Sequence, residues 1–213
     1  MTDRSEIAEE ISSWRFQLGY GSRADRGALA RLRRLPLAET DAGLLPDCGY
    51  AATLSSYRSL RARAIRVISK APPHHQASWM TDFARATGWF DERLVIVAVT
   101  LAYIKDDPGG SLGRALGRGS AFGPHALRQS PLLAERRLTH LLRLRTPAER
   151  LNAGRRIVRL LKGSAPVKDL ARLLLFGDER ERWRLVSAYY NLPGPIAPDE
   201  SEIDTNPAQE HAS

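Results

Sequence analysis

LLAERRLTHLLRLRT, residues 132–146, decides the fold. Wound as a helix, it lines up Ala134, Leu138, Leu141 and Leu142 at i, i+4, i+7 and i+8 on one stripe. Arg136, His140 and Arg143 follow at i, i+4 and i+7 on another. The apolar stripe seals a core and the basic one faces water. GRRIVRLLKGSAPV, residues 154–167, repeats the design: Leu151, Val158 and Leu161 share an apolar arc, while Arg155, Arg159 and Lys162 recur at i, i+4 and i+7. Thr146-Pro147-Ala148-Glu149 starts this second helix, with Thr146 as N-cap, Pro147 at the first helical position and Glu149 closing a capping box. SLGRAL (111–116) precedes the pair and LLFGDERERWRLVSAYYNL (174–192) closes it. Helices are therefore expected over 131–144, 147–162, 167–176 and 179–191, a four-helix bundle with a basic face.

Upstream, the pattern is also helical. Residues 5–18 carry Ile7, Ile11, Trp14 and Leu18 on one stripe, with Ser5 as the expected N-cap and early glutamates that suit the helix dipole. A second helix over 23–35 ends at Pro36, pointing Leu29, Leu32 and Leu35 inward and leaving Arg26, Arg33 and Arg34 as a basic ridge. Residues 37–49 read as loop, and 51–70 as a third helix that stops before Pro72-Pro73. Further helices are expected over 76–87 and, from an Asp91 N-cap, over 91–104. The run LVIVAVTLAYI (94–104) is too short to span a membrane and reads as a buried helix. KDDPGG (105–110) is the sharpest break, which sets the expected organisation: an N-terminal helical domain over 1–107, a C-terminal bundle over 108–192, and an acidic tail over 193–213 too polar to bury a face. The fold class expected is all-α, in two small helical domains.

Of 32 cations, 28 are arginine, and they exceed the carboxylates by 8. The tail has five carboxylates and no Lys or Arg, so residues 1–192 hold 32 cations against 19 carboxylates, a formal +13. Arginine's planar fork matches phosphate oxygens and stacks on bases, so the excess points to nucleic acid, although a compositional preference for arginine over lysine accounts for it equally well. Cys48 is the one cysteine, which excludes an internal disulfide and suits a reducing cytoplasm; no secretory segment is apparent. Catalysis finds no support. The histidines (His74, His75, His125, His140 and His211) lack Asp, Glu or Cys partners at catalytic or metal-ligand spacing, and no GxSxG occurs. Six glycines between Gly109 and Gly123 suggest a phosphate loop, but neither GxxxxGK[ST] nor a strand-flanked GxGxxG is present. Two readings other than a backbone-binding subunit stay open, a helical DNA-binding regulator and a scaffold for acidic proteins.

SLGRAL, then AERR, then RLL followed by a Pro-containing loop, then FGDERERW, resemble in order and spacing the C-terminal half of the CasB family, the small subunit of the type I-E CRISPR complex Cascade. Trp14 in the first helix, Arg33-Arg34 in the second, and Gly88-Trp89 followed by Arg93 resemble further family features. The resemblance implies an all-helical, non-catalytic protein without cofactors or metal. Its partners would be guide RNA, the target and non-target DNA strands, other Cascade subunits and a second copy of itself, with no membrane. It also nominates nucleic-acid contacts: Arg33, Arg34, Arg93, Arg114, Arg136, Arg137, Arg143, Arg145, Arg159, Arg180 and Arg182. The implied task is antiviral defence, holding guide–target backbone and the displaced single strand of the R-loop.

Overall fold

Ten helices and one short hairpin are seen in the computed structural model, which describes residues 4–19, 25–40, 43–70, 87–118 and 130–192. In order they are α1 (Arg4–Gly19), α2 (Arg26–Arg33), β1 (Leu37–Thr40), β2 (Gly43–Pro46), α3 (Cys48–Thr53), α4 (Ser55–Lys70), α5 (Thr87–Ala102), α6 (Leu112–Leu116), α7 (Glu135–Leu142), α8 (Pro147–Leu160), α9 (Val167–Leu175) and α10 (Glu179–Tyr189). The fold is all-α, as the periodicity requires. The expected helix over 76–87, for all but its last residue, together with His74, His75, His125, the side chain of Trp89 and the tail, lies outside the described residues.

α5 is the axis. From Leu94 to Ala102 every residue is buried, so the helix is apolar all round and has neighbours on all sides. α2, α3, α4, β2, α8 and α9 pack on it, and α1 lies across α4 and α9. Helices from both sides of residues 107 and 108 thus contribute to one hydrophobic cluster, which runs from Ile7 to Tyr189. α6 docks separately on α10.

Several local expectations differ from the structure: Ser5 lies inside α1 and not at its N-cap, and Ala134 of the apolar stripe is exposed at the N-cap of α7. Residues 37–46 form an antiparallel hairpin pairing Leu37 with Pro46 and Ala38 with Leu45. Its strands of four residues are too short for alternation to stand out, although Leu45 is buried and Leu44 exposed. The expected helix over 51–70 is two helices, because Leu54 adopts an extended conformation (φ −79°, ψ 125°) that turns its side chain into the core. Asp91 caps nothing; it lies inside α5, where its carboxylate takes Nε (2.6 Å) and Nη2 (3.2 Å) of Arg61. A bidentate cross-helix pair outweighs the local capping preference there.

Several arginines face inward, onto helix C-termini whose last carbonyls have no partner within the helix and sit at the negative end of the dipole. At the end of α5, Arg15 donates to the carbonyls of Leu101 (2.9 Å) and Ile104, and Arg33 Nε to that of Ala102 (2.7 Å). At the end of α9, Arg93 donates to Leu175 (2.9 Å) and Phe176 (3.0 Å), Arg150 to Leu173 (3.4 Å) and Arg182 to Gly177 (3.1 Å). Arg172 and Glu181 form a buried bidentate pair, at 3.1 and 2.7 Å, between α9 and α10. Part of the arginine excess is therefore structural.

Candidate nucleic-acid interface

α8, with the turn that ends it, carries a basic surface. Its start is the capping box read from the sequence: Thr146 Oγ1 accepts from Glu149 N (3.2 Å), and Glu149 Oε2 accepts from Thr146 N (3.0 Å) and Arg145 N (2.8 Å). Those backbone donors, Thr146 first, hold the Glu149 carboxyl below the usual carboxylate range. Its end is a tight turn in which Gly163 N donates to Val158 O (2.8 Å), and Gly163 O then accepts from Lys105 N (2.8 Å) and Asp106 N (3.2 Å). The segment leaving α5 is thereby clipped to the C-terminus of α8. Between them opens a cleft of about 610 Å³, lined by Tyr103, Lys105, Arg155, Val158, Arg159, Lys162 and Gly163. Arg159 and Lys162 are exposed and Arg155 is half-buried. None of the ion pairs among the described residues involves these three cations.

Arg33 reaches the same place from α2. Its guanidinium sits over the Tyr103 ring, 5.7 Å from the centroid, and the Tyr103 hydroxyl donates back to Arg33 O (3.2 Å). With Arg33 Nε on Ala102 O, the end of α2 is fastened to the end of α5 at the rim of the cleft. Arg34, next in line, is exposed.

A second basic strip runs along α7. Arg137, His140 and Arg156 border a shallow crevice floored by Leu133, Leu141, Ile157 and Leu160, where α7 meets α8. Arg136, Arg143 and Arg145 are exposed on α7 and the turn that follows, and Arg180 is exposed in the first turn of α10. α8 and the turn after it therefore offer cations on two flanks, Arg155, Arg159 and, in the turn, Lys162 on one and Arg156 on the other.

The remaining nominated residues sit elsewhere. Arg93 and Arg182 are half-buried with their guanidinium groups on the carbonyls ending α9. Burial, with the neighbouring Arg150 charge second, pushes the Arg93 pKa down to about 9. Arg114 is exposed but lines a different depression, of about 430 Å³, together with Arg184 and Asp169. Trp14 is buried, donating from Nε1 to Ser56 O (2.9 Å), so it packs rather than binds. Sequence reasoning did not nominate Tyr103, Lys105, Arg155, Arg156 or Lys162 as contacts. The stripe of Arg155, Arg159 and Lys162 was visible as periodicity, although α8 ends at Leu160 and Lys162 stands in the turn after it; nothing local marks Tyr103 and Lys105, at the end of an apolar run, which reach the site through the clip to Gly163.

Among the described residues no group of three or more His, Cys, Asp or Glu is placed to hold a metal ion, and no helix is long and apolar enough to cross a membrane. The family model for CRISPR-associated protein Cse2 matches residues 28–190. The chain belongs to that family. No curated protein and no solved structure matches it. Cse2 proteins, also called CasB, are subunits of the CRISPR Cascade complex and constitute a structural family not known for catalysis. The match takes in α8, most of α2 and the segment carrying Tyr103 and Lys105, so both walls of the basic cleft lie within the Cse2 region.

Proposed function

We propose that this Cse2-family chain is a non-catalytic, sequence-independent nucleic-acid-binding subunit of the type I-E Cascade. It contacts the backbone of guide RNA and target DNA and steadies the displaced single strand of the R-loop. The observation that carries this reading is the cleft in which Arg155, Arg159 and Lys162, three cations without ion-pair partners among the described residues, face Lys105 and Tyr103. Arg155 and Arg159 lie about 6 Å apart along the α8 axis, and Lys162 follows in the turn that ends the helix, so the three can follow the backbone of a strand. Contacts of this kind read charge spacing and not base edges, so base sequence matters little and ionic strength a great deal. Arg33, Arg34, Arg136, Arg137, Arg143, Arg145 and Arg180 extend the basic surface, and a second copy of the chain would lengthen it. Arg93 and Arg182 are assigned to helix ends, and Arg114 to the separate depression it lines with Asp169 and Arg184.

R-loop formation is a nearly balanced exchange of one duplex for another, so a modest grip on the displaced strand shifts it towards the open state. Cascade assembled with an Arg155→Ala, Arg159→Ala, Lys162→Ala subunit should hold R-loops for a shorter time than the parent complex. An unchanged R-loop lifetime, with the subunit still incorporated, contradicts the proposal.

A further inference from the structure

We infer that Tyr103 is a stacking platform for an unpaired base, which makes the cleft selective for single strands over duplex; this rests on the nucleic-acid reading above. Tyr103 leaves the end of α5 with 39% of its surface exposed, although both neighbours, Ala102 and Ile104, are buried. Its ring is held at two points, by its hydroxyl on Arg33 O and by the Arg33 guanidinium above it. Arg33 is itself fixed through Nε on Ala102 O. An exposed aromatic ring on a mobile side chain loses much of its contact energy in being ordered, and this one is ordered beforehand. Its place is equally specific: it lines the cleft whose other walls bring Arg155, Arg159 and Lys162. A strand whose phosphates lie on α8 would bring its bases within reach of the ring.

Aromatic platforms beside a basic track are the physical basis of single-strand binding, because every base has a π-face and stacking tolerates any sequence. A base in a duplex is already stacked and has no face to offer. Phosphate contacts alone do not make this distinction, since both kinds of strand carry phosphates. Tyr103 supplies the discrimination, and the α8 cations supply the salt-dependent attraction.

The test compares affinities of the full chain for a single-stranded oligothymidylate and for an abasic strand of equal length and charge, across a salt series. The parent should favour the base-bearing strand about tenfold. Tyr103→Leu should bring that ratio close to one, whereas Tyr103→Phe, which keeps the ring and loses the hydroxyl link, should retain a clear preference. Melting curves of the variants report whether the fold survives, and the Phe variant keeps the test valid if Leu perturbs it. A parent ratio near one with steep salt dependence overturns the stacking assignment and leaves the backbone reading standing. Absence of salt-dependent binding to either strand overturns both.

Discussion

Arg172 and Glu181 show what a single arginine can be doing in this chain. Their side chains are only 6% and 4% exposed, and Glu181 also meets Arg184 at 3.7 Å, a longer contact than the 2.7 Å to Arg172. Replacing Arg172 takes the bidentate partner from buried Glu181 and leaves it the longer Arg184 contact, at a cost of about 3 kcal/mol, the low end for a broken buried pair. Arg172→Met should therefore lower the melting temperature by roughly 10 °C, and Arg172→Met with Glu181→Leu should recover most of it, measured by thermal unfolding. Glu149 gives a residue-level pH prediction. Its carboxyl titrates below the usual range because the capping box stabilises the charged form. The sign is that of a depressed acid: the contribution is present above the unfolded pKa and is lost as pH falls through the lower folded value. Acid titration of stability should show that loss in the parent and not in Glu149→Gln. The capping box was legible because it is local, four residues in a row. Whether Arg93, Arg150, Arg172 or Arg182 faced water was not, because each is turned inward by a partner at least five residues away, and by up to 83 for Arg93.

Elements were legible wherever apolar residues recurred over several turns, and α8, α9 and α10 lie close to their expected ranges. The hairpin and the break at Leu54 escaped because they are shorter than the period needed to detect them. The glycines of SLGRALG were weighed for phosphate binding, and the structure gives them close contact. A Cβ on Gly113 would lie 2.4 Å from the Leu185 carbonyl oxygen, so α6 can rest on the α10 backbone only without a side chain there. Gly154 does the same where α8 crosses α5, since a Cβ there would lie 2.9 Å from Thr100 Cγ2 and 3.1 Å from Leu174 Cδ1. Gly154→Ala should destabilise the chain by about 1–3 kcal/mol through overpacking, read as a lower melting temperature. Because α8 and the turn that ends it carry Arg155, Arg159 and Lys162, the same substitution should also weaken single-strand binding although it removes no charge. Gly113→Ala should destabilise the chain through α6 and α10 and leave the α8 cleft in place.

At the scale of the molecule, two populations stand out within the basic excess. One neutralises helix ends and pairs with carboxylates inside the fold; the other gathers on α7, α8 and the ends of α2 and α5. Composition exposes the sum and not the division, which depends on α5 drawing both halves of the chain into one core. That packing brings Tyr103 and Lys105, from the N-terminal half, into one cleft with Arg159 and Lys162 from the C-terminal half. The most direct measurement is the affinity of the full chain for two unrelated single-stranded DNA sequences as a function of salt. Parent and Arg155→Ala, Arg159→Ala, Lys162→Ala variant are compared by fluorescence anisotropy. Backbone tracking predicts nearly equal affinities for the two sequences, and a log–log salt slope that is shallower in the variant by about 2, at about 0.7 per lost phosphate contact. A marked preference for one sequence, or an identical slope in parent and variant, would contradict it.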